Sequence, residues 1–152
     1  MPVPAPTERQ RALGQFLTPP SVARFMASLF RKRVREVSLL DAGAGKGTLS
    51  VAAVENFHTL KKKPQSIKIT AVELDASLSK FLHKNLQVCQ SKASRFGISV
   101  TSEIRFEDFI DAACFNLHTD IYNPQLDGFT AAILNPPHPP GSGSDLDFRA
   151  VR

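Results

Sequence analysis

The stretch Leu39-Leu40-Asp41-Ala42-Gly43-Ala44-Gly45-Lys46-Gly47-Thr48-Leu49 limits the fold of this chain more than any other. Two leucines lead into an acid, glycines follow at alternate positions, and a helical pattern then begins. The pattern predicts a buried strand, a tight loop and a helix N-terminus in direct succession. Glycine lets the backbone approach a ligand where a Cβ would clash, and a helix N-terminus favours an anionic group. Alone, such a loop leaves its ligand open, and it can equally hold nothing.

The periodicities on either side repeat the theme. Thr18-Pro19-Pro20 predicts a helix start, with Thr18 able to cap it. Val22, Phe25, Met26, Leu29 and Phe30 then follow at helical spacing, and Arg31-Lys32-Arg33 closes the segment with cations that suit a helix C-terminus. Val37 to Leu40 predicts a first strand, and a helix is expected from about Thr48 to Leu60, ended by Lys61-Lys62-Lys63-Pro64. Ile67, Ile69, Ala71 and Val72 predict a second strand, closed by Glu73-Leu74-Asp75. A helix is expected from about Ala76 to Phe96, with Leu78, Phe81, Leu82, Leu86 and Cys89 on one face and Gly97 as its stop. A third strand is expected around Ile98 to Phe106, then a short helix to about Phe115, a loop over Asn116 to Asp127, and a fourth strand from Phe129 to Leu134.

Strands alternating with helices predict an α/β fold with a parallel sheet. The 152 residues suffice for one domain with a core. The proline-rich residues 1–8 are expected to be a disordered leader, residues 9–138 the domain, and residues 139–152 a flexible tail. No apolar run reaches membrane-spanning length, and Met1-Pro2-Val3-Pro4-Ala5-Pro6 does not resemble a secretion signal. The cysteines, Cys89 and Cys114, match no metal spacing and suit a reducing cytoplasm. A net charge of +5 favours a polyanionic partner only weakly, because a mildly basic surface accounts for it as well.

In a parallel α/β sheet, ligands bind outside the carboxyl ends of the strands. The polar clusters of this sequence all fall there: Asp41 with the glycines, Glu73 with Asp75, Asp108 with Phe109, and Asn135-Pro136-Pro137-His138. An acid at Glu73 can accept hydrogen bonds from both hydroxyls of a ribose, while Asp75, just ahead of a helix, suits a capping role. Asp108 beside Phe109 can accept from an adenine amino group while the ring packs on the base, or be a surface acid next to a core ring. The tetrapeptide at Asn135 can hold a planar amine. The Asn135 side-chain oxygen and the Pro136 backbone oxygen are two acceptors for its two hydrogens, and the prolines restrict the backbone that carries them. A Pro-rich turn after a buried strand would read the same. The Gly loop itself could hold a phosphate or the methionine end of S-adenosylmethionine. A phosphate-binding kinase loop, with Lys46 on the phosphate, would need a glycine where this chain has Leu40.

Together these residues resemble the adenine-N6 DNA methyltransferases of restriction–modification systems. Gly14-Gln15-Phe16-Leu17-Thr18-Pro19 looks like that family's N-terminal cofactor segment, and Asp41 to Gly47 like its glycine loop. Glu73 stands at the ribose-binding acid, Asp108 and Phe109 at the adenine-contacting pair, and Asn135 to His138 where the family has Asn-Pro-Pro-Tyr or Asn-Pro-Pro-Phe. The resemblance implies a Rossmann-like class I methyltransferase fold, truncated after about the fourth strand. It implies S-adenosyl-L-methionine as cofactor, bound by Thr18, Asp41, Gly43, Gly45, Gly47, Glu73, Asp108 and Phe109. Asn135, Pro136, Pro137 and His138 would be the catalytic group. The implied partner is double-stranded DNA with the target adenine flipped out, with no metal, in a prokaryotic cytoplasm. His138 replaces the usual Tyr or Phe and offers a smaller ring for stacking. A C-terminal half or a DNA-recognition subunit would complete such a protein, and residues 129–134 would otherwise form an exposed apolar edge. Methylation of RNA guanine or of protein glutamine on the same fold, or a non-catalytic fragment, are the alternatives.

Overall fold

Alternate residues of Glu36–Ala42 (β1) are buried on opposite faces of one strand: Val37, Leu39 and Asp41 on one side, Leu40 and Ala42 on the other. A strand buried on both faces belongs in the middle of a parallel sheet. The computed structural model describes residues 17–31, 34–112 and 128–135. It pairs β1 in parallel with Ser66–Val72 (β2) on one side and Ala131–Leu134 (β4) on the other, and β2 with Ser99–Arg105 (β3). The order across the sheet is β3-β2-β1-β4.

The register decides where a site can form. Ala42 lies opposite both Val72 and Leu134, and Val72 lies opposite Arg105. The four strands therefore end level, and the next residues along, Gly43, Glu73, Phe106 and Asn135, form a common rim.

The helices Pro20–Ser28 (α1), Thr48–Thr59 (α2) and Ser79–Ser94 (α3) share one apolar cluster with one face of the sheet. Leu39, Ile67, Ile69, Leu82, Leu86 and Ile98 are fully buried there, each worth about 1.5–3 kcal/mol in removed apolar surface. On the opposite face Leu40, Ala42 and Val72 form a smaller cluster under Phe109 and Phe129.

Several local expectations change. Thr18 does not cap α1: the N-cap is Pro19, with no side-chain capping bond, and Pro20 fills the first helical position that its ring favours. The inward face of α1 is Ala23 and Ala27, with Met26 and Phe30 partly buried, whereas Val22, Phe25 and Leu29 are exposed. The small residues let α1 lie close against α2, where Phe30 stacks on Phe57 at 5.4 Å and Asn56 Nδ2 donates to the Phe30 carbonyl at 3.1 Å. α1 ends at Ser28, so Arg31 follows the helix rather than closing its last turn. The helix expected from Ala76 opens as a 3-10 turn, Ala76–Leu78, whose N-cap Asp75 accepts from the Ser77 N–H at 3.0 Å. Phe81 does not face inward; it is 53% exposed, with Lys46 Nζ 5.2 Å from its ring centre. Gly97 does stop the third helix, at φ +74, and the Ile98 N–H returns to the Ala93 carbonyl at 3.2 Å.

The readings of residues 1–8, Gly14 to Phe16, Lys32 and Arg33, Cys114, Asn116 to Asp127, Pro136 to His138 and residues 139–152 lie outside the described residues. Among the described residues, no helix is long and apolar enough to cross a membrane.

Candidate functional site

The loop after β1 is fixed from below before any ligand is considered. The Gly43 and Ala44 N–H groups both donate to the Val72 carbonyl at 2.9 Å, tying the loop to the tip of β2. The Gly47 N–H donates to the Ala44 carbonyl at 2.7 Å, and α2 begins one residue later. Gly43, Gly45 and Gly47 all have positive φ, a region costly for side chains with a Cβ.

The three glycines do different work. Gly43 and Gly45 line a cavity over the strand tips. Gly47 does not; a Cβ there would come within 2.9 Å of Leu82 Cδ1, so its bareness serves the contact with α3. The sequence spacing could not separate these roles, because the partner of Gly47 lies far along the chain.

The cavity gathers residues from each strand end. Thr18 and Leu17 enter from ahead of α1, Ala42 to Lys46 from the first strand and its loop, Glu73 and Leu74 from the second, and Glu107 to Ile110 from after the third. Leu134 and Asn135 complete it from the fourth. Of the expected site residues that the structure describes, it brings together Thr18, Gly43, Gly45, Glu73, Asp108, Phe109 and Asn135 around this one space. It leaves Asp41 and Gly47 behind the wall. Leu17, Leu78, Glu107, Ile110 and Leu134 also line it. Leu134, which reads in sequence only as the end of a strand, gains its place from the level register of the sheet.

Asp41 is fully buried on the helix side of the first strand. Its Oδ2 accepts from both the backbone N–H of Ser50 at 3.0 Å and the Ser50 hydroxyl at 2.6 Å, which ties the strand end to the second helix. Its Oδ1 is buried without a hydrogen-bond partner among the described residues. Burial pushes the carboxyl up to about 6 against the pull of the Ser50 bonds, with the charge of Glu73 adding to the rise.

Glu73 is also buried, and it braces the rim. One oxygen accepts from the Gly45 N–H at 2.6 Å and the other from the Asp75 N–H at 2.8 Å. The acid thereby holds the glycine loop at a set distance from the tip of β2. Asp108 Oδ1 caps the turn that follows it, accepting from the Ile110 N–H at 2.7 Å and the Asp111 N–H at 3.2 Å. Phe109 belongs both to the cavity wall and to the small core under the sheet.

Asn135 leaves β4 beside the glycine loop, and its backbone oxygen would lie 3.6 Å from a Cβ on Gly43. Its Nδ2 donates to Thr18 Oγ1 at 3.1 Å, which brings the segment before α1 to the same corner. Lys46 leans toward Phe81, and its carbonyl accepts from Asn85 Nδ2 at 2.8 Å. Among the described residues, no three His, Cys, Asp or Glu side chains come together as metal ligands.

A parallel sheet with a glycine loop at its central strand tip and a buried acid at the neighbouring tip defines a Rossmann-like α/β fold with its ligand cavity at the carboxyl ends. Residues 5–139 match the N-6 DNA Methylase family, and the chain belongs to that family. It is 36% identical over 126 residues to the type II methyltransferase M.PstI of Providencia stuartii, and 33% identical over 129 residues to M.BsuBI of Bacillus subtilis. Each match takes in 83% of this chain and 24% of the relative, so the chain spans about a quarter of their length. In fold it is similar to the methyltransferase subunit of a type I restriction–modification system from Streptococcus thermophilus. That likeness has a TM-score of 0.56 at 23% identity, over 81% of this chain and 23% of the other.

Proposed function

We propose that this chain carries the cofactor site and the amine-binding motif of a restriction–modification methyltransferase that transfers a methyl group from S-adenosyl-L-methionine to the N6 amine of adenine in DNA. The observation that supports it most is the meeting of Asn135 with the glycine loop, Glu73 and Asp108 around one cavity, residues that lie far apart in sequence. Family membership and the two type II relatives support the same reading.

The residues present fit the cofactor. Bare backbone at Gly43 and Gly45 gives room for its amino-acid end. Apolar Val72, Leu78, Phe109 and Leu134 suit a nucleoside body, and Glu73 and Asp108 are acceptors for hydroxyl and amino hydrogens. Once bound, it supplies an electrophilic methyl group. Glu73 accepts from the ribose hydroxyls while bracing the loop through Gly45. Asp108 accepts from the base amine, and Phe109 packs on the ring.

Asn135 holds the target amine through its side-chain oxygen, with the Pro136 carbonyl as the second acceptor. Pro137 restrains the backbone, and His138 stacks on the flipped adenine. Thr18 orients the Asn135 amide by accepting from its other end. DNA recognition is supplied by further polypeptide, either a C-terminal part or a separate subunit, in keeping with the share of the relatives that the chain spans.

Calorimetry with S-adenosylmethionine and transfer of labelled methyl groups test the reading. The expected result is cofactor binding by this chain, and label in duplex DNA once the recognition part is supplied. Both arms discriminate: label appearing in RNA or protein in place of DNA, or no cofactor binding, overturns it. Transfer that survives Asn135→Ala would remove Asn135 from the centre.

A further inference from the structure

The connections that follow the helices carry cations that the strand-tip cavity does not use. Arg31 and Arg35 lie between α1 and β1, Lys61, Lys62 and Lys63 between α2 and β2, and Arg95 between α3 and β3. Each helix returns the chain to the start of a parallel strand, so these connections meet at the end of the sheet opposite Gly43, Glu73 and Asn135. Backbone and ring contacts join them into one surface. The Gln65 N–H donates to the Arg35 carbonyl at 2.8 Å, and the Ser99 N–H donates to the Gln65 carbonyl at 2.9 Å. The rings of His58 and Phe96 lie 3.7 Å apart across the ends of α2 and α3.

Helix dipoles account for few of these charges beyond Arg95, the C-cap residue of α3. A dipole acts within the last helical turn, yet α1 has no basic residue in its last turn, α2 has His58 and α3 has Lys92. Arg31, Arg35, Lys61, Lys62, Lys63 and Arg95 all lie beyond the helix ends, and all are exposed. Among the described residues, none of them is in an ion pair; the pairs centred on Glu103 lie along the sheet instead. The acids nearest in sequence are Glu36, which opens β1, Glu55 in α2, and Glu103 in β3, which pairs with Lys68 and Arg105. Two of the cations are also positioned. Arg35 Nε donates to Gln65 Oε1 at 2.7 Å, and Lys63 Nζ sits 5.7 Å from the centre of the half-exposed Phe96 ring.

We infer that this end of the sheet is a second DNA-binding surface, which takes the phosphate backbone of a duplex away from the target-base cavity. Unpaired cations from three connections on one surface match a polyanion, and backbone contacts of this kind hold a protein on DNA without reading sequence. Phe96 is held between His58 and Lys63 rather than presented within an apolar face of the sort a membrane surface takes up. The choice of DNA among polyanions rests on the proposed function; the charge surface does not.

Fluorescence anisotropy of the full chain with a scrambled-sequence duplex, without cofactor and across a KCl series, tests this. The variants are Lys61→Ala/Lys62→Ala/Lys63→Ala and, as a control at the other end of α3, Lys80→Ala/Lys84→Ala. The triple variant is expected to bind at least about tenfold more weakly at low salt, with the slope of log K against log salt shallower by about 2–3. The control is expected to change affinity less than about twofold. Wild-type-like DNA binding by the triple variant, equal losses in both variants, or no duplex binding by the wild type would each overturn the inference. So would binding of the wild type to phosphatidylglycerol vesicles in place of DNA. Cofactor calorimetry on the triple variant separates the two readings. Unchanged S-adenosylmethionine binding with lost DNA binding supports the surface, and lost DNA binding by the triple variant, with no methyl transfer by the wild type even once the recognition part is supplied, supports the surface while removing the proposed reaction.

Discussion

Asn135 Nδ2 donates to the Thr18 hydroxyl at 3.1 Å across a separation of 117 positions. The bond joins the segment before α1 to the tip of β4 and gives Thr18 a role other than helix capping. Thr18→Val keeps the side-chain shape and removes the acceptor. It is expected to lower thermal stability by about 1 kcal/mol, the net worth of one such bond. It is also expected to lower turnover about tenfold with KM little changed, because Asn135 is then held less well. Adding Thr18→Val to Asn135→Ala should cost no more than Asn135→Ala alone, which a double-mutant cycle in thermal denaturation and methyl transfer would read out.

Gly47 is set apart from the other loop glycines by Leu82 rather than by a ligand. Gly47→Ala must place a Cβ at φ +78 and 2.9 Å from Leu82 Cδ1. Backbone strain of about 1–2 kcal/mol adds to a similar overpacking cost, so a loss of about 2–4 kcal/mol in stability is expected. Gly43→Ala has the same kind of strain, but its Cβ would make only an ordinary contact at 3.6 Å with the Asn135 carbonyl. It should therefore destabilise less. Chemical denaturation of the two variants side by side checks the order.

The strands, their order along the chain and the gathering of polar residues at their carboxyl ends were legible because burial leaves short apolar runs such as Leu39-Leu40 and Ala71-Val72, and the alternation of Ile67, Ile69 and Ala71 with Lys68 and Thr70. Contacts between distant residues were not. The sequence places Asp41 with the glycines, but only the packed structure turns it under the loop onto Ser50. The buried face of α1 does not show in its spacing for a physical reason: both of its faces are apolar, and Val22, Phe25 and Leu29 recur at helical spacing as do Met26 and Phe30. Close packing of two helices instead selects the small residues Ala23 and Ala27. The same limit hid the division of labour among the glycines, since Leu82 is needed to see it.

Asp41 should make stability depend on pH. Its carboxyl is raised from an ordinary 3.8 to about 6 by burial, so the folded chain holds the proton more tightly than the unfolded chain. Below about 4 both states are protonated and the group has no effect. As pH rises from 4 to 6 the unfolded chain ionises first, and stability falls; above 6 the loss is complete, at about 3 kcal/mol. Asp41→Asn can still accept from Ser50 and cannot ionise. The difference in melting temperature between wild type and Asp41→Asn is therefore expected to widen in favour of the variant between pH 4 and 6 and to stay constant above. A constant difference across the whole range would mean that Asp41 titrates alike in both states.

The orientation of α1 can be tested by substitution on its two faces. Phe25 is 66% exposed and Leu29 62%, so Phe25→Ser and Leu29→Ser are expected to change stability by no more than about 0.5 kcal/mol in the isolated chain. Ala23 and Ala27 have no exposed surface and lie in the main core. Ala23→Leu or Ala27→Leu must push α1 away from α2, at a cost of about 1–3 kcal/mol. That displacement would also pull on Thr18, two residues ahead of the helix, and through it on Asn135. Overpacked variants are therefore expected to weaken S-adenosylmethionine binding as well as stability, whereas the serine variants leave it unchanged. Calorimetry and urea denaturation on the four proteins would separate the faces. Large losses from Phe25→Ser with none from Ala23→Leu would mean that the helix is turned the other way.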